Sequence, residues 1–444
     1  MSKWTKIGAL LLAGCFVTGL MSGCGKEEEK ANKIVLMNFK PEAKEAYETI
    51  ADEYYKKTGV EVEIVSPEDG TYDETLAEMM EGKDQPSIIQ LNGYVSYEKW
   101  KDCCENLIST SLYTEMTDQS MVISSATTID AVPFALEGYG IIYNDAVMEK
   151  YFALPKKGTE FESISEVDSY NEFKELVQDM TEHKGELGIE GVFASTSLAE
   201  NERWRWSNHL SNLPLYYEIG KQTSYANYMI ATVATREIKF TYENEYKNIF
   251  DLYIENSCTP KNQLQSKTTA DSMEEFATGK CAMVQNGSWS YQQIASIEGK
   301  VVKEDDIKIM PIYIGAPGEA SQGICISTES YYAVNKNVSD EEKEKAIAFL
   351  EWMYTTDEGA TMVANELGFY APYKKFNKME YSNPLVNEVL KWNEKGGIYN
   401  VPWIFPSYPG EEFKDALGQN LLDYVNQNIT WKALVTNTKE NWAK

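Results

Sequence analysis

Three groups of side chains in this 444-residue chain stand where they could do chemistry. Glu137 lies inside the apolar run Val132 to Asp145, VPFALEGYGIIYND. An unpaired acid buried in such a run is strongly disfavoured, so Glu137 must have a partner or face a cleft. Trp204 and Trp206 alternate with arginines in Asn201-Glu202-Arg203-Trp204-Arg205-Trp206, and Trp289 closes Asn286-Gly287-Ser288-Trp289. A carboxylate accepts two hydroxyl hydrogen bonds at once, and flat rings offer apolar faces. The chemistry these residues support is noncovalent capture of a polar ligand.

Covalent and metal chemistry find less support. There is no nucleophile elbow or P-loop, and 69 acidic residues guarantee carboxylate pairs by chance, so a glycoside-hydrolase pair carries no weight. His183 and His209 are the only histidines and have no cysteine or histidine neighbour at zinc spacing. Beyond Cys15 and Cys24 the cysteines are Cys103, Cys104, Cys258, Cys281 and Cys325, an odd number without a disulfide or metal pattern. Cys281, in an apolar run, reads as a small buried hydrophobe. No enzyme, cofactor or metal site is expected.

The elements that must position these residues begin at Lys33. Ile34 to Met37 form an apolar run, and Ala43, Ala46, Tyr47, Ile50, Ala51 and Tyr54 follow at helical spacing. Val60 to Val65 alternate strictly, Tyr72 to Gly82 have helical composition, and Ile88 to Leu91 are again apolar. This β-α-β-α-β order predicts an α/β fold with an open parallel sheet. Ligands bind outside the carboxyl ends of such strands, which makes Phe39, Asn92 and Tyr94 site candidates. Ser339 and Glu342 have the spacing of a capping box opening a helix that runs to Tyr354, and a second helix runs from Asp357 to near Gly368.

The amino terminus carries Lys3 and Lys6, an apolar stretch from Ile7 to Leu20, then Ser22 and Gly23 before Cys24. That is the order of a secretory signal, and the stretch is shorter than the about 20 residues a membrane span needs. Small residues before a cysteine, followed by the charged GKEEEK, resemble a bacterial lipoprotein cleavage site. Residues 1–23 are expected to be the signal peptide, Cys24 the lipidated residue and 24–32 a tether. Leu12-Ala13-Gly14 before Cys15 also fits locally, but cleavage there leaves a very short apolar core. The remaining length suits one large two-lobed unit or two domains. A net charge of −28 repels phosphate backbones, so nucleic acid is not an expected partner.

Four segments in order resemble the extracellular solute-binding proteins of ABC importers, in the branch that contains the maltose-binding protein. They are Val132 to Asp145, Glu274 to Ser290 (EEFATGKCAMVQNGSWS), Ala346 to Tyr373, and the aromatic-rich stretch from Phe405 to Trp442. The resemblance implies a two-lobed periplasmic-binding-protein-like α/β fold (type II), with a ligand cleft between lobes joined by hinge strands. The lobes are expected at 33–137 plus 330–385 and at 138–329 plus 386–444. It further implies a lipid-anchored, extracytoplasmic monomer that captures a carbohydrate, an oligosaccharide above all, and delivers it to a membrane permease.

By the same resemblance Trp289 is the ring that stacks on sugar and Glu137 a ligand-binding glutamate, with Asn286 beside them. One of Trp204 and Trp206 reaches ligand; on a strand they would share a face, whereas on a helix they diverge. Glu329, Ser330 and Tyr331 are hydroxyl partners where the chain recrosses, and Trp403 and Phe413 are further candidates near the end. Pro402, Pro406 and Pro409 depart from the family pattern and leave the sugar open. A polyamine or peptide in the same fold is the alternative, since a polyamine site also combines aromatics with acids, and a surface glycoside hydrolase is the weaker one.

Overall fold

The computed structural model describes residues 32–68, 71–328, 330–377 and 379–443. The expected signal peptide, the tether up to residue 31, Cys24 and Glu329 lie outside them. The first three strands are β1 (Lys33–Met37), β2 (Glu61–Val65) and β3 (Ile88–Asn92), parallel as the β-α-β-α-β order predicts. Then come β4 (Ile123–Ser124), β5 (Ile129–Pro133), β6 (Glu137–Asn144), β7 (Gly191–Phe193), β8 (Cys281–Gly287), β9 (Ile307–Met310), β10 (Gln322–Ser327), β11 (Ser330–Val334) and β12 (Tyr399–Val401).

They form two sheets. The first has the order β2-β1-β3-β11-β5-β4, with β11 antiparallel to both β3 and β5. Alternation along each strand feeds two cores, one on each face. Ile34, Leu36, Tyr332 and Val334 face one side, where the helix Lys44–Thr58 buries Tyr47, Ile50 and Tyr54 and the helix Asp340–Thr355 buries Phe349 and Leu350. Met37, Ile89, Leu91 and Ala333 face the other, under Leu76 and Tyr97. Each large aliphatic side chain buried this way contributes roughly 1.5–3 kcal/mol. Of the expected capping box only half forms: Ser339 Oγ accepts from the Glu342 amide at 3.3 Å, while Glu342 Oε1 accepts from Ser87 Oγ at 2.7 Å. The glutamate ties the helix to the sheet instead of to its own first turn.

The second sheet has the order β12-β10-β6-β8-β7, with β9 also on β6. A large core lies on one face, including Tyr139, Ile141, Phe193 and Trp206, and a smaller one on the other, including Ile142, Val284 and Ile324. The run Val132 to Asp145 is therefore two strands, one per sheet, with the chain crossing between lobes at 134–136. By its pairing with Ser327, Glu137 belongs to the second sheet. The chain recrosses between Ser327 at the end of β10 and Ser330 at the start of β11, and again before the helix Pro384–Glu394, which buries Leu385 and Val389 against the second sheet.

β6 is the spine of the second sheet, and its glycines are required by space. A Cβ on Gly140 would stand 2.3 Å from the Met310 carbonyl oxygen, and one on Gly138 would stand 2.5 Å from Val389 Cγ2. The first clash is with backbone and cannot be relieved by a rotamer. Gly140→Ala must push β9 away from β6 and is expected to destabilise the protein by about 1–3 kcal/mol, read as a lower urea midpoint. An unchanged midpoint would show that β9 yields without loss.

Candidate functional site

The head of β6 and the ends of β1 and β8 meet at one cavity of about 250 Å³, lined by Lys40, Glu137, Trp204, Asn208, His209, Trp289, Trp403 and Phe405. Five of these are rings. His209 lies at their centre, with ring centroids 5.1 Å from Trp204, 5.2 Å from Trp289, 5.8 Å from Trp403 and 5.0 Å from Phe405, and it stacks on Tyr139 at 4.4 Å. Trp204 and Trp289 are half-buried and face each other at 6.4 Å, inclined by 49°. Opposite them Lys40 Nζ lies 3.4 Å from Glu137 Oε1, an ion pair that joins the first lobe to the second. The Trp403 indole N–H, buried in the wall, has no acceptor among the described residues. Apolar ring faces, an orphan donor and one charge of each sign thus line the same space.

Each wall is held from behind. Asn38, fully buried, accepts from the Lys40 amide at 3.1 Å and donates to the Lys40 carbonyl at 2.7 Å, folding the loop after β1 into a tight side-chain turn. Gln90 accepts from the Phe39 amide at 2.9 Å and donates to Tyr47 Oη at 2.9 Å, tying that loop to the first core. Trp289 folds back over the end of its own strand: a Cβ on Gly287 would lie 2.2 Å from the indole ring, which is why glycine precedes it by two.

The segment Arg205–Leu210 winds as a π-helix, and this wider turn presents Trp204, Asn208 and His209 to the cavity together. Arg205, fully buried, donates to the Gln285 carbonyl at 3.0 Å, and the Gln285 side chain donates back to the Arg205 carbonyl at 3.0 Å. This reciprocal pair locks the Trp204 element to β8, which carries Trp289. Burial lowers Arg205 to about 10, still charged at neutral pH. Asn212 accepts from the Ile404 amide at 2.7 Å and donates to the Pro402 carbonyl at 3.1 Å, fixing the loop that brings in Trp403 and Phe405.

Residues 49–384 match the family model described as bacterial extracellular solute-binding protein. The chain belongs to that family. No match is found among curated proteins. Among solved structures it is similar to a family 1 extracellular solute-binding protein from Bifidobacterium longum subsp. infantis, at 14% identity over 93% of this chain and 98% of that one, with a TM-score of 0.67. It is likewise similar to RafE in complex with raffinose (16% identity, 93% and 98% covered, TM-score 0.67) and to maltose-bound MalE3 of T. maritima (16%, 92% and 98%, TM-score 0.65). These likenesses show a shared two-lobed α/β fold, as the sequence resemblance implied.

Within this solute-binding protein the structure brings together four of the residues singled out from sequence: Glu137, Trp204, Trp289 and Trp403. Of the two tryptophans of the second lobe, Trp204 lines this cavity and Trp206 does not, because on a helix they diverge. Trp206 turns into the core, 5.7 Å from Tyr253 and 6.1 Å from Phe250, its indole N–H donating to the Thr196 carbonyl. Other candidates are placed elsewhere. Asn286 is buried, accepting from the Gly287 amide at 3.0 Å. Phe413 packs between Tyr408 and Trp442 at 5.5 and 5.1 Å. Phe39 backs Lys40, its ring centroid 5.7 Å from Nζ and 6.0 Å from the Phe134 ring. Asn92 ends β3 opposite Ser330, which is buried, while Tyr94 and Tyr331 line a separate apolar cavity of about 440 Å³ under the helix Tyr225–Ala234. Glu329 is outside the described residues.

Sequence reasoning missed Lys40, Asn208, His209 and Phe405. The strand-end rule points to the loop after β1 through Phe39, whereas it is Lys40 beside it that lines the cavity. Nothing in the sequence marks His209 as the centre of a ring cluster.

Burial holds the His209 imidazole at about 3, helped by the nearby positive charges of Arg205 and Lys414. In the unfolded chain the same group titrates near about 6.5, so between those values the unfolded state binds the extra proton and stability falls as pH falls. His183 is displaced the other way, because the Asp179 carbonyl accepts from its ring. The wild-type protein is therefore expected to lose about 2 kcal/mol more than His209→Gln between pH 7 and pH 5, measured by urea unfolding at both values. Equal losses would show that His209 takes up its proton in the folded state.

Proposed function

We propose that this solute-binding protein captures a neutral carbohydrate between its lobes and delivers it to the permease of an ABC importer. The observation that carries this is the cavity itself, which Trp204, Trp289 and Trp403 line together with the Lys40–Glu137 pair. A sugar presents apolar C–H faces to rings and hydroxyls at its rim to planar or charged polar groups, and the cavity offers both. That RafE and MalE3 are seen with raffinose and maltose supports the same reading.

A polyamine is disfavoured by electrostatics. Its ammonium groups would compete with Lys40 for Glu137, the one carboxylate lining the cavity among the described residues, and Lys40 is supplied in place by the protein. The neutral His209 adds no negative charge to help. Ligand touching Lys40 on one lobe and Trp289 on the other favours the juxtaposed lobes, and only that differential affinity drives closure.

The reading extends to the anchor: a lipid on Cys24 holds the acidic chain at the outer membrane surface beside its permease. Mass spectrometry of the mature amino terminus tests this, with a diacylated residue at position 24 expected and an unmodified terminus ruling it out. Trp289→Ala is expected to weaken sugar binding by about 1–3 kcal/mol in calorimetry while leaving the unfolding midpoint within a few degrees. A thermal-shift screen across neutral oligosaccharides, peptides and polyamines decides the solute class, since a ligand of the native state raises the midpoint. A shift with spermidine and none with any sugar would overturn the carbohydrate assignment.

A further inference from the structure

Two cysteines far from the aromatic cavity meet at one glycine. Gly191 opens β7 and is paired in the sheet with Cys281, the first residue of β8. The chain returning from the helix Glu243–Glu255 packs directly on the same glycine: a Cβ on Gly191 would stand 2.2 Å from the Cys258 amide nitrogen and 2.7 Å from its Cα. Cys258 and Cys281 thus flank a residue with no side chain to part them, and both pack in the smaller core of the second lobe. Their thiols are hydrogen-bonded to each other. Thiols in such contact need only a small movement to reach the about 2.05 Å of a sulfur–sulfur bond.

The two differ in access. Cys281 is fully buried, and burial, with the Cys258 thiol beside it, holds its own thiol well above the usual range. Cys258 is half-buried, and its Sγ donates to Glu275 Oε2 at 3.5 Å. That carboxylate is fixed in place: it accepts from the Ser195 amide at 2.7 Å and from Thr259 Oγ1 at 2.6 Å, and it pairs with Lys267 Nζ at 3.2 Å. One thiol therefore has a proton acceptor and a route to solvent, while the other is reached through the first. Since the thiolate is the attacking species, Cys258 must react before Cys281.

We propose that Cys258 and Cys281, free thiols in this structure, close into a disulfide once the chain is outside the cytoplasm. The family is extracellular, and disulfides persist in such compartments. The oxidant is a low-molecular-weight disulfide. Cys258 gives its proton to Glu275 and attacks one sulfur of that disulfide, releasing one small thiol and leaving a mixed disulfide on Cys258. Cys281 then attacks the Cys258 sulfur, its proton goes to the departing thiolate, and a second small thiol leaves. Two cysteine thiols are oxidised and one small disulfide is reduced to two thiols. The bond ties the segment after the helix Glu243–Glu255 to the start of β8, the strand whose other end leads into Gly287-Ser288-Trp289. It restrains the unfolded chain between residues 258 and 281 and so favours the folded lobe. This inference is independent of which solute the cavity holds.

The full chain, treated with oxidised glutathione, alkylated in urea and digested with trypsin without reduction, tests it by mass spectrometry. Peptides 248–261 and 281–300 contain one cysteine each, Cys258 and Cys281. They are expected to be joined, and to separate on adding dithiothreitol. Glutathione retained on Cys258 with Cys281 alkylated overturns the proposal, as do alkylation of both or a link from either to another cysteine. The oxidised protein is also expected to unfold at least about 4 °C above its reduced form, a difference lost in Cys258→Ser. Equal midpoints in the wild-type protein, or a difference that survives in the folded variant, overturn the stapling of the lobe. The peptide map needs only the wild-type chain and decides the bond even where the variant fails to fold.

Discussion

The close approach of β6 to its neighbours is the constraint on which the second lobe depends. Gly138 and Gly140 leave no side chain on two successive residues of one face, and Val389 and the Met310 carbonyl occupy the room. With β6 seated this deeply, its antiparallel partner β8 is in register Tyr139 to Gly287, and the strand that begins with Glu137 lies beside the strand that ends before Trp289. The carboxylate and the ring therefore appear at the same end of the sheet. Backbone pairing puts two residues 152 positions apart into one cavity, and the Lys40 loop closes it from the other lobe.

The charge of the molecule and the charge of its site are separate matters. The chain carries a net charge of −28, a sign that repels phosphate backbones. Among the described residues lining the cavity one acid meets one lysine, His209 stays neutral because burial disfavours its protonated form, and Arg205 lies behind the wall, tied to Gln285. Local burial and pairing decide which solute the site can hold. Net charge does not reach that far, since exposed charges are screened over about 8–10 Å.

The order of elements was legible because it rests on local patterns. Period-two alternation in β1 and β2, helical spacing from Lys44 to Thr58 and the Ser339 cap each follow from a few neighbouring residues. The apolar run of Val132 to Asp145 was harder to divide, because strand propensity says nothing about which sheet a strand joins. The break at 134–136 comes from pairing with β11 on one side and β10 on the other.

Glu137, Trp289, Trp204 and Trp403 could be named from sequence, the first because an acid in an apolar run demands a partner and the others through the resemblance of their segments to the solute-binding family. The fates of Trp206, Asn286 and Phe413 could not, because a large ring or an amide packs a core as well as it lines a cleft, and only neighbours distant in the chain decide. Lys40, His209 and Phe405 became visible for the same reason in reverse. Sequence determined the lobes' local elements and the chemical supply of rings and acids. Tertiary structure alone decided which of them share one cavity, since that depends on strand register, a π-helical turn and three crossings between lobes, none of which is encoded within a single window of the chain.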